Sequence, residues 1–363
     1  MEQKRQSQRM RYFRRGILAE CLLIAILTVF TTVGGVKQDR STSSGTLQIE
    51  EDYIKWVDFT VSYEAMCKAY EWDVKSHDTE YPISWVELLA VTAAKSGGKF
   101  EKADLKTLDK TAKALTEGEK TLEELTKDLK YYSYYKEAYD AAIGGLVGEY
   151  ECEVSGEDQY EKVYGLKGYF PLAQGFDYTH YDDFGASRSY GYKRRHLGHD
   201  MMGLVGTPIT AVESGVVEAL GWNQYGGWRI GIRSFDKKRY YYYAHLRQNY
   251  PYAEGLAEGS VVTAGDVIGY MGHTGYSTKE NVNNIEVTHL HWGLQLIFDE
   301  SQKEGNNEIW IDVYPLTRFL AKHTQKAAKV GDTKEWKRTE LIRDPEVERY
   351  LKEVNQKETE NHR

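Results

Sequence analysis

After Val154 the chain changes pattern: short β-prone runs follow one another, separated by Gly, Asn and Asp turns. Ile209 to Val212, Val216 to Leu220, Trp228 to Ile232, Arg239 to Ala244, Val267 to Met271 and Ile285 to Ile297 are examples. Runs this short and this closely spaced predict an antiparallel sheet or sandwich. Upstream, from about Tyr53 to Tyr150, apolar residues recur at three- and four-residue spacing, as in Trp85 to Val91 and Leu122 to Leu129. Leu105, Leu108, Ala112 and Leu115 share one face, and glycine pairs at Gly97-Gly98 and Gly144-Gly145 punctuate the runs. The expected fold class is α+β, with a small helical domain over 51–154 and a β domain over 155–326. The last stretch, 327–363, is highly charged. There Val347, Tyr350, Leu351 and Val354 fit a loosely docked helix before a disordered end.

The N-terminus sets the expected location. Lys4, Arg5, Arg9, Arg11, Arg14 and Arg15 stand against one Glu2, and an apolar stretch from Gly16 to Val36 follows, interrupted only by Glu20. Roughly 20 apolar residues span a bilayer, and a basic cluster ahead of them keeps the N-terminus in the cytoplasm. The expectation is a cytoplasmic tail over 1–15, a transmembrane helix over 16–36, a Ser/Thr-rich linker over 37–50 and an extracytoplasmic remainder. A cleaved signal peptide is the competing reading, disfavoured by the lack of a clear small-x-small site. A lipoprotein is disfavoured because the apolar run follows Cys21 and Glu20 precedes it. The formal net charge of -8 gives no reason to expect nucleic acid as a partner. None of the three cysteines sits in a CxxC pair, which argues against a cysteine-based zinc site. Cys67 and Cys152 could pair outside the cell or remain two thiols; spacing leaves both open. The 29 tyrosines against 10 phenylalanines suit half-wet grooves, where a ring buries and its hydroxyl still finds a partner.

The chemistry concentrates in a few histidines. His196 and Asp200 form HxxxD in RRHLGHD, His245 closes YYYYAHL, and His289 and His291 form HxH in THLHWG. On a strand, alternate side chains share a face, so His289 and His291 project together while Leu290 and Trp292 point to the apolar side. His196 and Asp200 share a face if their segment is extended, and His199 then faces away. Two neutral imidazoles and a carboxylate make a zinc site with a fourth position open to water. Zinc lowers the pKa of such water to roughly 7, and further histidines can take its proton and steady an oxyanion. HxH or HxxxD alone is weak evidence; together, on strands, they point to a hydrolase. His180 is left open, and His273, in a glycine-rich turn, could touch substrate but reads better as a solvated loop histidine. Glu87 tempts a glycan-cutting reading of the helices, but no second carboxylate stands at a defensible position, so it reads as part of a solvated helix face.

Around these residues the region from about Tyr169 to Leu320 resembles the lysostaphin/LytM-type zinc peptidases. Tyr190-Gly191 followed by His196-Leu197-Gly198-His199-Asp200 resembles the family's opening motif. Gly206-Thr207-Pro208-Ile209 and Gly215-Val216-Val217 resemble its first hairpin, and Tyr243-Ala244-His245-Leu246 its middle motif. Val262 to Gly275 and His289-Leu290-His291 resemble its glycine-rich stretch and closing HxH. The resemblance implies one Zn2+ per chain held by His196, Asp200 and His291, with His245 and His289 as catalytic histidines beside the bound water. The implied reaction is hydrolysis of peptide bonds in bacterial peptidoglycan, with its stem peptides as partners and the membrane as anchor. Tyr192, Lys193 and Arg194 depart from the family's Gly-x-Arg pattern and leave that loop's substrate role open. Tyr190 is a candidate groove or oxyanion contact. Arg188 could pair with a substrate carboxylate or with Asp182 or Asp183. Tyr178 to Tyr190, Gly221 to Trp228 and Ile83-Ser84-Trp85 resemble the sporulation-associated, membrane-anchored branch, which implies an L-Ala–D-Glu bond in spore cortex. A metal-free scaffold or activator and a bifunctional wall enzyme are the alternatives. The filled ligand positions disfavour the first, and the missing carboxylate pair the second.

Overall fold

A computed structural model describes residues 53–154, 159–189, 193–303, 305 and 307–361. The expected tail, transmembrane helix and linker lie outside them. Among the described residues no helix is long and apolar enough to cross a membrane.

Among the described residues five α-helices come first: Tyr63–Ser76, Trp85–Ser96, Lys102–Thr116, Leu122–Thr126 and Tyr132–Ile143. Trp85–Ser96 is the innermost. It starts after Ser84, whose backbone is extended, and stops at Gly97, which takes the left-handed conformation that glycine adopts at little cost. Trp85, Val86, Leu88, Leu89, Ala90 and Val91 are all buried, so this helix is apolar around most of its girth and belongs to the core. Asp73 on the first helix accepts from the Trp85 backbone N–H at 2.7 Å and from the Tyr164 hydroxyl at 2.7 Å, tying two helices to a strand. Glu87 pairs with Lys136 at 2.9 Å on the helical surface.

The main sheet is antiparallel. Its order is Val261–Val262, Gly215–Asn223, Gly227–Ser234, Arg239–Ala244, His289–Leu296, His199–Met202 and Thr179–His180, with Ile309–Ile311 also paired to His289–Leu296. Two expected strands differ. Val267–Tyr270 leaves the main sheet and pairs with Pro208–Thr210. The run expected from Ile285 becomes a strand only at His289, because the Ile285 amide and carbonyl are taken by His273 instead.

Helices and sheet share one apolar core, in which Leu88, Leu89 and Tyr139 join Leu290, Trp292 and Leu294. Residues Tyr53–Arg363 are one compact unit. The boundary expected at 154 falls between two paired strands, Val147–Val154 and Gln159–Leu166. Among the described residues, the charged stretch folds back onto an earlier strand. Ile342–Arg343 pairs with Val147–Val154, Ile342 is buried with Tyr150 and Tyr169, and a helix follows over Pro345–Asn361. Burial of Ile342 and cover for an open strand edge give the stretch its hold. Cys67 and Cys152 are both free.

Candidate active site

Three neighbouring strands deliver the site. Ala244 stands opposite His291 across one strand pair, and Asp200 stands opposite His291 across the next. Along His289–Leu296, the two histidines are half-buried and face an open groove, while Leu290 and Trp292 are fully buried on the other side. Strand alternation produces this division. The same rule turns His199 away from Asp200. His199 pairs with His180, Nε2 to Nδ1, at 2.9 Å, and burial pushes its pKa down to about 3.

His196, Asp200 and His291 converge. His196 Nε2 lies 3.0 Å from Asp200 Oδ1 and 3.1 Å from His291 Nδ1, which is itself 2.8 Å from Asp200 Oδ1. Among the described residues this is the one group of three or more such side chains able to hold a metal ion. Asp183 Oδ1 sits 3.0 Å from His196 Nδ1. A carboxylate only accepts, so Nδ1 carries the hydrogen and Nε2 turns its lone pair toward Asp200. Two lone pairs at that separation require a proton or a cation between them. Burial works against the charged form of His196, but Asp200 and Asp183 outweigh it and raise its pKa. Burial likewise works against ionised Asp200, yet the contacts of His196 and His291 hold its carboxyl well below the usual range. Burial lowers the pKa of His291. Two imidazole nitrogens and one carboxylate oxygen are a donor set suited to zinc. Gly198 is part of the fit: a Cβ there would come within 2.5 Å of the His291 ring.

His245 and His289 stand beside this cluster with ring centroids 4.7 Å apart, and His245 lies 5.8 Å from His291. His289 Nε2 is 3.8 Å from Asp200 Oδ1, beyond hydrogen-bond range. His245 Nδ1 donates to the Thr274 carbonyl at 2.9 Å, and His289 Nδ1 to the Val287 carbonyl at 2.7 Å. Each ring in its neutral form therefore presents a bare Nε2. His245 adopts φ 63°, an uncommon region for a side-chain-bearing residue and one that clusters at functional sites. Its amide donates to the Gly226 carbonyl at 2.8 Å, which holds it there. Gly275 gives the ring room, since a Cβ would lie 3.1 Å from His245 Nδ1 and 2.5 Å from the Tyr225 carbonyl. Burial pushes the His245 pKa well down, and the neighbouring His289 adds to this.

Of the partners expected for Arg188, a substrate carboxylate, Asp182 or Asp183, the structure supplies Asp183. The guanidinium bonds that carboxylate and also reaches Asp200 Oδ2 at 3.3 Å. Tyr190 lies outside the described residues. His273 is half-buried and donates to the Ile285 carbonyl at 2.8 Å. Asp183 is the residue whose hold on His196 the motifs do not reveal; its one signal is its place in the acidic run YDDF. The groove above the cluster has a volume of about 760 Å³, with Tyr225, Tyr242, Tyr276 and Trp310 among its walls.

Residues 194–304 match the profile of Peptidase family M23. An L-Ala--D-Glu endopeptidase of Bacillus subtilis (strain 168) is 35% identical over 160 residues, 44% of this chain and 46% of that protein. Lysostaphin of Staphylococcus staphylolyticus is 36% identical over 89 residues, 24% of this chain and 18% of its own. A crystal structure of lytM from Ruminococcus gnavus ATCC 29149 superposes with a TM-score of 0.49 at 24% identity, covering 75% of this chain and 92% of that one. The chain spans less than half the length of these curated relatives. His196, Asp200, His245, His289 and His291 all fall inside the matched segment, and residues 194–304 are a peptidase family M23 domain.

Proposed function

We propose that the chain is a zinc-dependent endopeptidase that cuts stem peptides of bacterial peptidoglycan, anchored by residues 16–36 and working outside the cytoplasm. The observation that carries the reading is the convergence of His196 Nε2, Asp200 Oδ1 and His291 Nδ1 beside the bare Nε2 atoms of His245 and His289. His196, Asp200 and His291 would hold one zinc ion. When bound, the ion supplies Lewis acidity, easing deprotonation of water and polarising the scissile carbonyl.

The chain's own residues account for the proton. Water attacks the carbonyl carbon, and a bare imidazole Nε2 takes the proton it loses. The N–H so formed can donate to the developing oxyanion and then pass its proton to the leaving amine as the C–N bond breaks. The backbone carbonyls of Thr274 and Val287 hold the other nitrogen of each ring, so neither histidine has to reorient. The bond we assign is L-Ala–D-Glu. Support comes from the 35% identity to an endopeptidase of that name. A role in spore cortex would be one setting for that bond.

The full chain, purified in detergent, should carry one zinc ion and release fragments from purified peptidoglycan with new N-terminal D-Glu, identified by mass spectrometry. Absence of zinc after supplementation, together with intact peptidoglycan, would turn the reading into that of a binding scaffold.

A further inference from the structure

Among the described residues, three arginines that line the groove, Arg194, Arg195 and Arg229, form no ion pair. The other cations there are engaged: Arg188 holds Asp183 and Asp200, and Lys303 holds Glu218. Arg194 and Arg229 line the same groove. The Nε–H of each is buried and lacks an acceptor among the described residues. Buried donors are nearly always satisfied by protein, water or ligand, so this pair marks a place in the groove where a polar partner belongs.

Their placement is close to the histidines. The Arg194 guanidinium lies 4.7 Å over the Tyr276 ring and 5.9 Å from that of Tyr225, which hold its plane. Tyr276 in turn lies 5.9 Å from the His245 ring. Tyr242, on the same groove wall, has its ring 6.1 Å from that of His291. Arg194 is thus one tyrosine away from the proposed reaction centre, and Arg229 lines the same groove.

We propose that Arg194 and Arg229 form a carboxylate-recognition subsite, and that the peptide cut here bears a free carboxylate next to the scissile bond. This rests on the endopeptidase reading above. A guanidinium fork recognises a planar carboxylate through paired N–H donors. A γ-linked glutamyl residue, whose α-carboxylate is free, meets that requirement. A neutral glycine bridge leaves both guanidiniums unanswered, and a site with unpaired buried polar groups rejects the substrate that fails to pair them. The subsite therefore selects anionic stem peptides over oligoglycine.

The test uses the zinc-loaded full chain and three peptides. They are acetyl-alanyl-γ-D-glutamyl-lysine with its free α-carboxylate, the same peptide as the α-carboxamide, and pentaglycine. The carboxylate form should have a kcat/KM at least about tenfold above the carboxamide, the scale of a charge-assisted hydrogen bond. Arg194→Gln and Arg229→Gln should each lower this ratio toward one, chiefly through KM on the carboxylate peptide. Arg229→Lys should retain part of the preference. Zinc content and melting temperature are measured for every variant, and a Gln variant that fails to fold is judged through its Lys counterpart. Equal rates on the two glutamyl peptides overturn the subsite, as does a preference that survives both substitutions. Pentaglycine cut faster than either overturns the subsite and leaves an endopeptidase standing. No cleavage of any peptide defeats both readings.

Discussion

Which nitrogen of a histidine is occupied decides what the other can do. His196 spends Nδ1 on Asp183 and turns Nε2 into the three-donor cluster. His245 and His289 spend Nδ1 on backbone carbonyls and hold Nε2 beside the cluster. His245→Ala and His289→Ala should therefore keep zinc while the rate on peptidoglycan falls at least about a hundredfold. His196→Ala, Asp200→Ala and His291→Ala should lose zinc and activity together. Metal content and fragment release for each variant check the division. Zinc lost from His289→Ala but kept in His291→Ala would mean the two roles are reversed. Asp183 acts one step further out. Asp183→Ala removes the acceptor that fixes the His196 tautomer and should weaken zinc binding by roughly 10–100-fold, measured by competition with a chelator of known affinity. Affinity unchanged from the unmutated protein would show that His196 needs no such support.

Among the elements, Arg239 joins helix to sheet. It opens the strand Arg239–Ala244, is fully buried, and bonds Glu213 at 2.7 Å, while its Nη1 donates to the Asp140 and Ala141 carbonyls in the last turn of Tyr132–Ile143. Burial disfavours its charge, but Glu213 outweighs this and raises its pKa. Arg239→Met leaves the Glu213 carboxylate buried with no cation and only the Tyr241 hydroxyl to answer it, and should cost about 3–5 kcal/mol in urea unfolding. Adding Glu213→Gln should recover part of the loss, because the two residues are coupled. Additive losses would mean that the pair is not the staple described. At this scale the strands were largely legible, because alternation writes itself into His289-Leu290-His291-Trp292 and into the tyrosine run. Tyr241 and Tyr243 go to the core, and Tyr242 to the groove. The grip of Asp183 on His196 was not legible, since it crosses a loop between elements with no shared periodicity. Nor was the joint at Arg239, because its partners on the helix are backbone carbonyls, which every sequence has.

For the whole molecule, the shared core means that helices and sheet stand or fall together. Trp85 stacks on Phe319 at 5.5 Å, and Tyr70 meets the same ring edge-on at 5.5 Å, so the helical segment covers a surface the β segment cannot leave open. A fragment of residues 155–326 should lack a cooperative thermal transition, and the chain from residue 45 onward should show a single one. A sharp transition in the fragment, with zinc bound, would mean the β segment needs no cover. The pairing of Cys152 with Ile342 has a further consequence, in time. As the chain is made, Val147–Val154 emerges about 190 residues before the strand that closes its edge. Meanwhile the site-bearing strands, all encoded between, can reach one another. The groove can thus assemble before the molecule is sealed, and the closing strand is the last to be translated and among the last able to dock.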